Sequence, residues 1–313
     1  MKSQLAIIVP CYNEEAVLDT TAAQLGPLLE EMITSELIRS DSYILFVNDG
    51  SRDRTWSIIE QLHLQNPQFK GVNMSRNYGH QNALMAGFEH CLEVDITITI
   101  DADLQDDIQV IPQMVTKWNE GNHIVYGVRN DRTTDSSFKK LTANGFYKLL
   151  SYIGVESIPN HADYRLMSRK AVNFLQEFQE KNLYLRGIIP MIGLQTDKVY
   201  YKRLERLAGE TKYPLRKMLS LAWEGITSMT VKPLRFVTSC GFIIFFLTVL
   251  FSIYAIYAYF RGNTVPGWAS TVLPLYFLGG IQLLCVGLIG EYVAKIYKEV
   301  KARPRYFVDD ILK

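Results

Sequence analysis

The chain predicts an α/β domain built on a doubly wound, mostly parallel sheet, followed by an amphipathic helix and two transmembrane helices. Three observations carry this expectation. Short β-rich runs alternate with helix-length periodic segments from residue 1 to about residue 210. Polar and acidic residues gather where those runs end. Near the C-terminus, two long stretches, Phe236–Phe260 and Gly262–Gly290, contain no charged residue.

The elements follow in order. "LAIIVPCYN" reads as a first buried strand, and Glu14–Thr34 as a helix with Leu18, Leu25, Leu28 and Leu29 turned inward. "YILFVNDGS" is a second strand ending in a turn. Arg54–Asn66 is a helix capped by Ser51 or Asp53. "FKGVNMS" is a third strand, Gly79–Cys91 a helix and "DITITIDAD" a fourth strand. Ile108–Glu120 is a helix and "NHIVYGVR" a fifth strand. Doubly wound sheets bind ligands at the carboxyl ends of their strands. In this chain those ends carry Asn13-Glu14, Asn48-Asp49, Ser75-Arg76, Asp101 with Asp103, and Arg129. No Gly-x-Gly-x-x-Gly follows the first strand, which argues against a dinucleotide fold of the usual kind.

Composition narrows the function classes. The chain has 313 residues and a formal net charge of +1, so no overall charge points to nucleic acid. Cys11, Cys91, Cys240 and Cys285 are far apart and form no CxxC pair; they read as reduced and structural, on a cytosolic face. The N-terminal apolar run is too short for a signal peptide and turns polar at once. His80, His90, His123 and His161 lack zinc-ligand spacing and read as surface or site-edge residues.

The charge-free stretches exceed the roughly 20 helical residues that cross a bilayer core. Gln282 and the pair Gly279-Gly280 suit helix packing in lipid. Lys212, Arg216, Lys217, Lys232 and Arg235 precede the first stretch, and Lys295, Lys298, Lys301, Arg303 and Arg305 follow the second. The loop Arg261–Ser270 carries only Arg261. The positive-inside rule then puts both ends in the cytoplasm and the loop outside. Before the spans, Tyr213–Thr230 places Leu215, Met218, Leu219, Leu221, Ala222 and Ile226 on one helical face, as for a helix lying on a membrane. The expected division is a cytoplasmic catalytic domain over 1–210, an amphipathic interface helix over 211–232, and a membrane domain over 233–313. Its spans fall at about 236–260 and 272–296, followed by a short cytoplasmic tail.

"TITIDADLQDDI" raises the chemical question, because its carboxylates repel one another. Asp101 and Asp103 lie just beyond a central buried strand, where hard oxygen ligands suit Mg²⁺ or Mn²⁺ shared with substrate phosphates. The amide oxygen of Gln105 can join them, and a cation there neutralises a leaving diphosphate. The bland alternative, helix capping, is accepted for Asp107 and does not account for Asp101 and Asp103.

"IVPCYNEE", "VNDGSRDRT", "SRNYGHQNALMAGF", "DADLQDD" and "ADYRLMSR" resemble the family 2 glycosyltransferases of the GT-A fold. With "GETKYPLRKML" and two C-terminal spans, the chain is similar to bacterial polyprenyl-phosphate glycosyltransferases, above all the bactoprenol (undecaprenyl-phosphate) glucosyltransferases. It resembles dolichyl-phosphate mannosyltransferases more distantly. The resemblance implies roles. Pro10, Tyr12, Asn13 and Glu14 would line a nucleotide pocket, Asp49 would accept from the base and Arg76 would flank the nucleotide. Asp101, Asp103 and Gln105 would hold the metal and donor diphosphate. Arg129, Lys139 and Arg165 would meet an acceptor phosphate, Arg206 and Lys212 would close over the diphosphate, and Asp163 stands where a catalytic carboxylate is expected. The implied reaction is inverting transfer of a hexose, expected to be glucose, from a UDP-sugar to polyprenyl phosphate at the cytoplasmic leaflet. It would supply lipid-linked sugar for cell-wall or lipopolysaccharide modification. A homo-oligomer, a flippase-type partner and a downstream glycosyltransferase are the further expected partners.

Bland readings stand beside these. Asn13 and Asp49 can satisfy turn backbones, Arg206 and Lys212 can face anionic lipid, and only one of Lys139 and Lys140 can face a site. A GDP-mannose-dependent enzyme stays open as an alternative, because Asp49 suits uracil or guanine. A processive synthase is disfavoured by two spans and the absence of Gln-x-x-Arg-Trp. The spans lack the paired charges of an ion path, and the Asp-x-Asp pair argues against a silent scaffold.

Overall fold

The computed structural model describes residues 2–130, 161–181, 183–202, 227, 230–261 and 267–313. The chain divides into two compact units, Met1–Met218 with Arg303–Lys313, and Leu219–Ala302.

The first unit is an eight-stranded mixed sheet with helices. It begins β1 (Leu5–Cys11), α1 (Leu18–Thr34), β2 (Tyr43–Asn48), α2 (Thr55–Gln65), β3 (Phe69–Met74), α3 (His80–Glu89) and β4 (Ile96–Thr99). A 3₁₀ turn (Ile108–Val110), α4 (Ile111–Asn119) and β5 (Ile124–Arg129) follow. Then come β6 (His161–Ser168), α5 (Arg169–Gln176), α6 (Leu185–Met191), β7 (Thr196–Tyr201) and, from the end of the chain, β8 (Val308–Leu312). The strand order is β7-β5-β6-β4-β1-β2-β3-β8. Every residue of β1, β2 and β4 is buried. Burial of every position is what a strand covered on both faces shows, here with Thr97 and Thr99 buried among the apolar residues. The α1 residues Leu18, Leu25, Leu28 and Leu29 face this core, as their helical spacing predicts. Each buried Leu, Ile, Val or Phe contributes about 1.5–3 kcal/mol.

Strands β1, β2, β3 and β4 are parallel, so their carboxyl ends share one edge. Two departures from the expected pattern matter for that edge. First, β6 runs antiparallel between β4 and β5, with Thr99 opposite Arg165, so the start of β6 lies beside the end of β4. Nothing in its local pattern announces a strand inserted out of order. Second, residues 303–313, expected as a tail of the membrane domain, join the first unit and pair β8 antiparallel with β3. A strand that adds to a sheet edge completes backbone hydrogen bonds that are invisible in its own sequence. Smaller differences are local. The α1 helix starts at Leu18 rather than Glu14, and the Ile108 helix opens as a 3₁₀ turn before Pro112.

The second unit contains α7 (Lys232–Phe260) and α8 (Trp268–Val300). Lys232–Phe251 and Phe277–Val300 are long and apolar enough to cross a membrane, and none of either apolar window is buried inside the protein. Phe236, Phe246, Phe251, Leu283 and Leu284 lie exposed along them. The Tyr292 hydroxyl donates to the Thr230 carbonyl at 2.8 Å. The expected interface helix over 211–232 and the outer loop fall mostly outside the described residues, as do Lys139, Arg206 and Lys212.

Candidate active site

The carboxyl edge of the sheet is built from two kinds of anchoring. On the β1–β2–β3 side, polar side chains bind loop backbone. Pro10 is buried in β1 opposite Val47, while Tyr12, just beyond the strand, is exposed. Asn13 adopts a left-handed φ of 56°, which Asn tolerates better than most residues. Its amide accepts from Arg52 N at 2.9 Å, and its own N–H donates to Ser51 Oγ at 2.9 Å. Glu14 N donates to Thr55 Oγ1 at 2.9 Å. Asp53 accepts from Thr55 N and Glu15 N, so it, rather than Ser51, serves the start of α2.

Asp49 is buried, and its two carboxylate oxygens accept from Tyr78 N at 2.6 Å and Gly79 N at 2.9 Å. Burial raises its pKa against those two amides and nearby His80. Gly50 must be glycine, since it has a φ of 60° and an added Cβ would lie 2.2 Å from the Arg76 carbonyl carbon. The Ser75–Gly79 loop is thereby fixed against the end of β2. Within it, the Arg76 guanidinium stacks 4.3 Å from the centre of the Tyr78 ring.

On the β4–β6 side, charged side chains bind one another. Asp101 and Asp103 sit on the turn that leaves β4. Leu104 holds a φ of 46°, costly for a branched side chain, while its buried side chain anchors the turn. Asp103 Oδ1 accepts from the N–H of the buried Gln105 at 3.3 Å. Burial and the carboxylates of Asp163, Asp106 and Asp103 push the Asp101 pKa up, with His80 opposing. Mutual repulsion of this kind is relieved by a cation. The hard-oxygen donor set therefore fits Mg²⁺ or Mn²⁺ held by one or two carboxylates together with substrate phosphates. Among the described residues, no three His, Cys, Asp or Glu side chains group together as a metal site.

Asp163 sits where β6 enters beside β4, and Thr99 Oγ1 donates to its carbonyl. Arg165 Nη2 donates to its carboxylate. Arg186 grips both oxygens, Nε at 3.3 Å and Nη2 at 3.1 Å, and His80 Nε2 lies 3.5 Å away. Burial works against the charged carboxyl, but His80, Arg165 and Arg186 outweigh it and hold Asp163 well below the usual carboxylate range. His80 also lies 3.8 Å from Asp101. Its pKa is lowered by burial and raised more by the two aspartates.

Arg165 is 1% exposed, and its Nε and Nη1 have no partner among the described residues. It stands behind Asp163 and presents no face to solvent. Arg129 is spoken for as well: Nε and Nη2 donate to Asp106 Oδ1 at 3.1 and 2.8 Å, and Nε to the Tyr201 hydroxyl at 3.3 Å. Asp107 accepts from Gln109 N at 2.9 Å and caps the 3₁₀ turn, as its position predicts.

Two members of this group escaped the sequence reading. His80 read as a surface or site-edge residue, although its motif places it at the first residue of α3. Arg186 belongs to no motif. It reaches the site because Gln81 Oε1, one residue after His80, accepts from Leu185 N at 2.9 Å and ties the start of α6 to the start of α3.

Residues 6–175 match the family model described as glycosyl transferase family 2. The chain is 49% identical over 306 residues to the uncharacterized glycosyltransferase YkoT of Bacillus subtilis (strain 168), covering 97% of this chain and 91% of the relative. It is 40% identical over 309 residues to the bactoprenol glucosyl transferase of Shigella phage SfX, covering 97% and 98% respectively. Among solved structures it is similar to mannosyl-3-phosphoglycerate synthase from Rubrobacter xylanophilus. That likeness has a TM-score of 0.51 at 16% identity and covers 74% of each chain.

Proposed function

Because this chain belongs to glycosyl transferase family 2, and so is a glycosyltransferase with a GT-A-like catalytic unit, we propose that it transfers glucose from UDP-glucose to a polyprenyl phosphate, with inversion, at the cytoplasmic face of a membrane. The observation that carries this reading is the joining of two features at one sheet edge. An acidic turn, Asp101–Asp103, meets a carboxylate clamped by two arginines, Asp163 with Arg165 and Arg186. The relative named a bactoprenol glucosyl transferase, matched along nearly its whole length, supports the lipid acceptor and the sugar.

In this reading Asn13, Glu14, Asp49 and Arg76 frame the nucleotide, with Pro10 and Tyr12 beside them. Asp101, Asp103 and Gln105 would hold Mg²⁺ or Mn²⁺. The ion would supply positive charge to the departing diphosphate. The acceptor phosphate needs no general base, since a phosphate monoester with a second pKa near ~6 is largely a dianion at pH 7. Asp163, held ionised by its two arginines, orients Arg186 toward the anionic substrates. Arg165 acts through Asp163 from behind, which replaces its expected direct contact with the acceptor. Arg129 would reach the acceptor phosphate only by exchanging Asp106 for it. Lys139, Arg206 and Lys212 keep their expected roles as part of the proposal, and a flippase-type partner, a downstream glycosyltransferase and a homo-oligomer complete it.

The apolar helices are read as two membrane crossings with both chain ends cytoplasmic. Residues on both sides of them, 1–218 and 303–313, belong to one folded unit, which supports an even number of crossings. Lys and Arg flank the spans on the inner side.

The deciding experiment gives purified protein undecaprenyl phosphate with a panel of radiolabelled UDP- and GDP-sugars, with and without chelator. Glucosyl lipid from UDP-glucose alone is expected. Mannosyl lipid from GDP-mannose would overturn the donor, and turnover onto water or soluble sugars alone would overturn the acceptor. For topology, Asn263→Cys should label from outside intact cells and Lys313→Cys should not; the reverse pattern would overturn the orientation.

A further inference from the structure

The C-terminal tail is tied down along its whole length within the catalytic unit. The Arg305 guanidinium donates to the Phe178 carbonyl, and the Tyr306 hydroxyl donates to Glu89. The Phe307 carbonyl accepts from Ser75 N at 3.0 Å. Val308–Leu312 then pairs with β3, and Leu312 packs against the main core. The tail therefore covers an edge strand, which is one structural reason for it to exist.

Its point of attachment says more. Ser75 begins the loop that runs to Gly79, and Ser75 Oγ lies 3.0 Å from the Tyr78 hydroxyl. Tyr78 N and Gly79 N hold both oxygens of Asp49. Arg76 stacks on Tyr78, and its backbone packs on Gly50. One residue beyond Gly79, His80 faces Asp101 and Asp163. The loop is thus held on one side by the end of β2 and on the other by the tail, and it leads directly to the acidic turn.

We propose that the tail Arg305–Leu312 is a working part of the nucleotide site: it positions the Ser75–Gly79 loop, so that the sugar nucleotide binds well only when the chain emerging from the second apolar helix has returned to the sheet. This rests on the reading of Asp49 and Arg76 as nucleotide-side residues. Preformed loops gain affinity by avoiding the cost of ordering on binding, and a loop stripped of one of its two supports loses that advantage.

The test compares detergent-purified full chain, a chain ending at Ala302, and the double variant Arg305→Ala/Tyr306→Phe, with UDP and Mg²⁺ as the probe. Calorimetry gives UDP affinity, and amide hydrogen exchange reports residues 75–79. The shortened chain should bind UDP about tenfold or more weakly, with faster exchange at Tyr78 and Gly79. A synthetic peptide of residues 303–313 at about millimolar concentration should restore part of both. The double variant should lose about threefold in affinity, with KM for the lipid acceptor unchanged. Unaltered UDP affinity in the shortened chain overturns the tail's role and leaves the donor reading standing. If the shortened chain does not fold, unaltered affinity in the double variant overturns it instead. No UDP binding by the full chain would overturn the donor reading and the tail's role with it.

Discussion

The two sides of the sheet edge are held together by different physics. On the β1–β2–β3 side, Asn13, Asp49, Ser51 and Asp53 spend their oxygens on backbone N–H groups of neighbouring loops. The result is a rigid frame in which each side chain satisfies a local geometric need. On the β4–β6 side, Arg129 pairs with Asp106, and Arg165 and Arg186 pair with Asp163, while Asp101 faces like charges with His80 opposing them. For Asp106, Asp163 and Arg165, which are little exposed, attraction is strong and an unpaired charge is costly. A frame tolerates a lost contact by loosening, whereas a charge network redistributes the whole imbalance.

That contrast can be broken or sharpened by four aspartate substitutions. The largest effect is expected on turnover from Asp103→Asn, which should lower it about 10²–10³-fold with circular dichroism and melting unchanged. Chelation should inactivate the wild-type protein reversibly, and full activity in chelator would remove the metal role.

Next comes Asp163→Asn, which leaves the buried Arg165 without its counter-charge. A loss of about 3 kcal/mol is expected in urea unfolding, against little for a residue of the frame. The pH dependence separates positioning from base catalysis. The folded pKa of Asp163 is depressed, so its stabilising charge is complete above the unfolded value near ~3.9. That contribution is lost only as pH falls through the lower folded value. Between pH 5 and 9 Asp163 should contribute no step. The rate should instead fall below about pH 6 with the acceptor phosphate, in wild type and Asp163→Asn alike. An acid limb that vanishes in the variant would make Asp163 the base after all.

A smaller effect is expected from Asp49→Asn. An amide offers one acceptor where the carboxylate serves both Tyr78 N and Gly79 N. The loss should be about 2 kcal/mol, read as weaker UDP affinity with an unchanged pH profile. Smallest of all, Asp107→Ala removes a cap from the 3₁₀ turn. It should cost about 1 kcal/mol of stability, with turnover preserved.

The legibility of the molecule follows the same division. The strands β1–β5 and helices α1–α4 could be read because burial imposes a local period on each of them, and the parallel core needs nothing but apolar runs. Asn13, Asp49, Asp101 and Asp107 stood out because each is a polar residue just beyond a strand or at the start of a helical turn, although the loops that Asn13 and Asp49 bind lie 39 and 29 residues away along the chain. The apolar helices were plain from length and the absence of charge alone.

Pairing was another matter. That Arg129 takes Asp106, that Arg165 is buried behind Asp163, and that Arg186 enters from α6 all depend on which segments the sheet brings side by side. The antiparallel insertion of β6 beside β4 places Asp163 and Arg165, and the Gln81–Leu185 contact brings in Arg186; the return of β8 to β3 is a separate long-range pairing. Local sequence determines which residues must be buried, which must cap and which must be charged, since those costs are paid within a few residues. Tertiary structure alone decides which opposite charges meet and which edge a late strand covers, because those energies depend on distance in space, and side chains separated by many residues along the chain carry no mark of it.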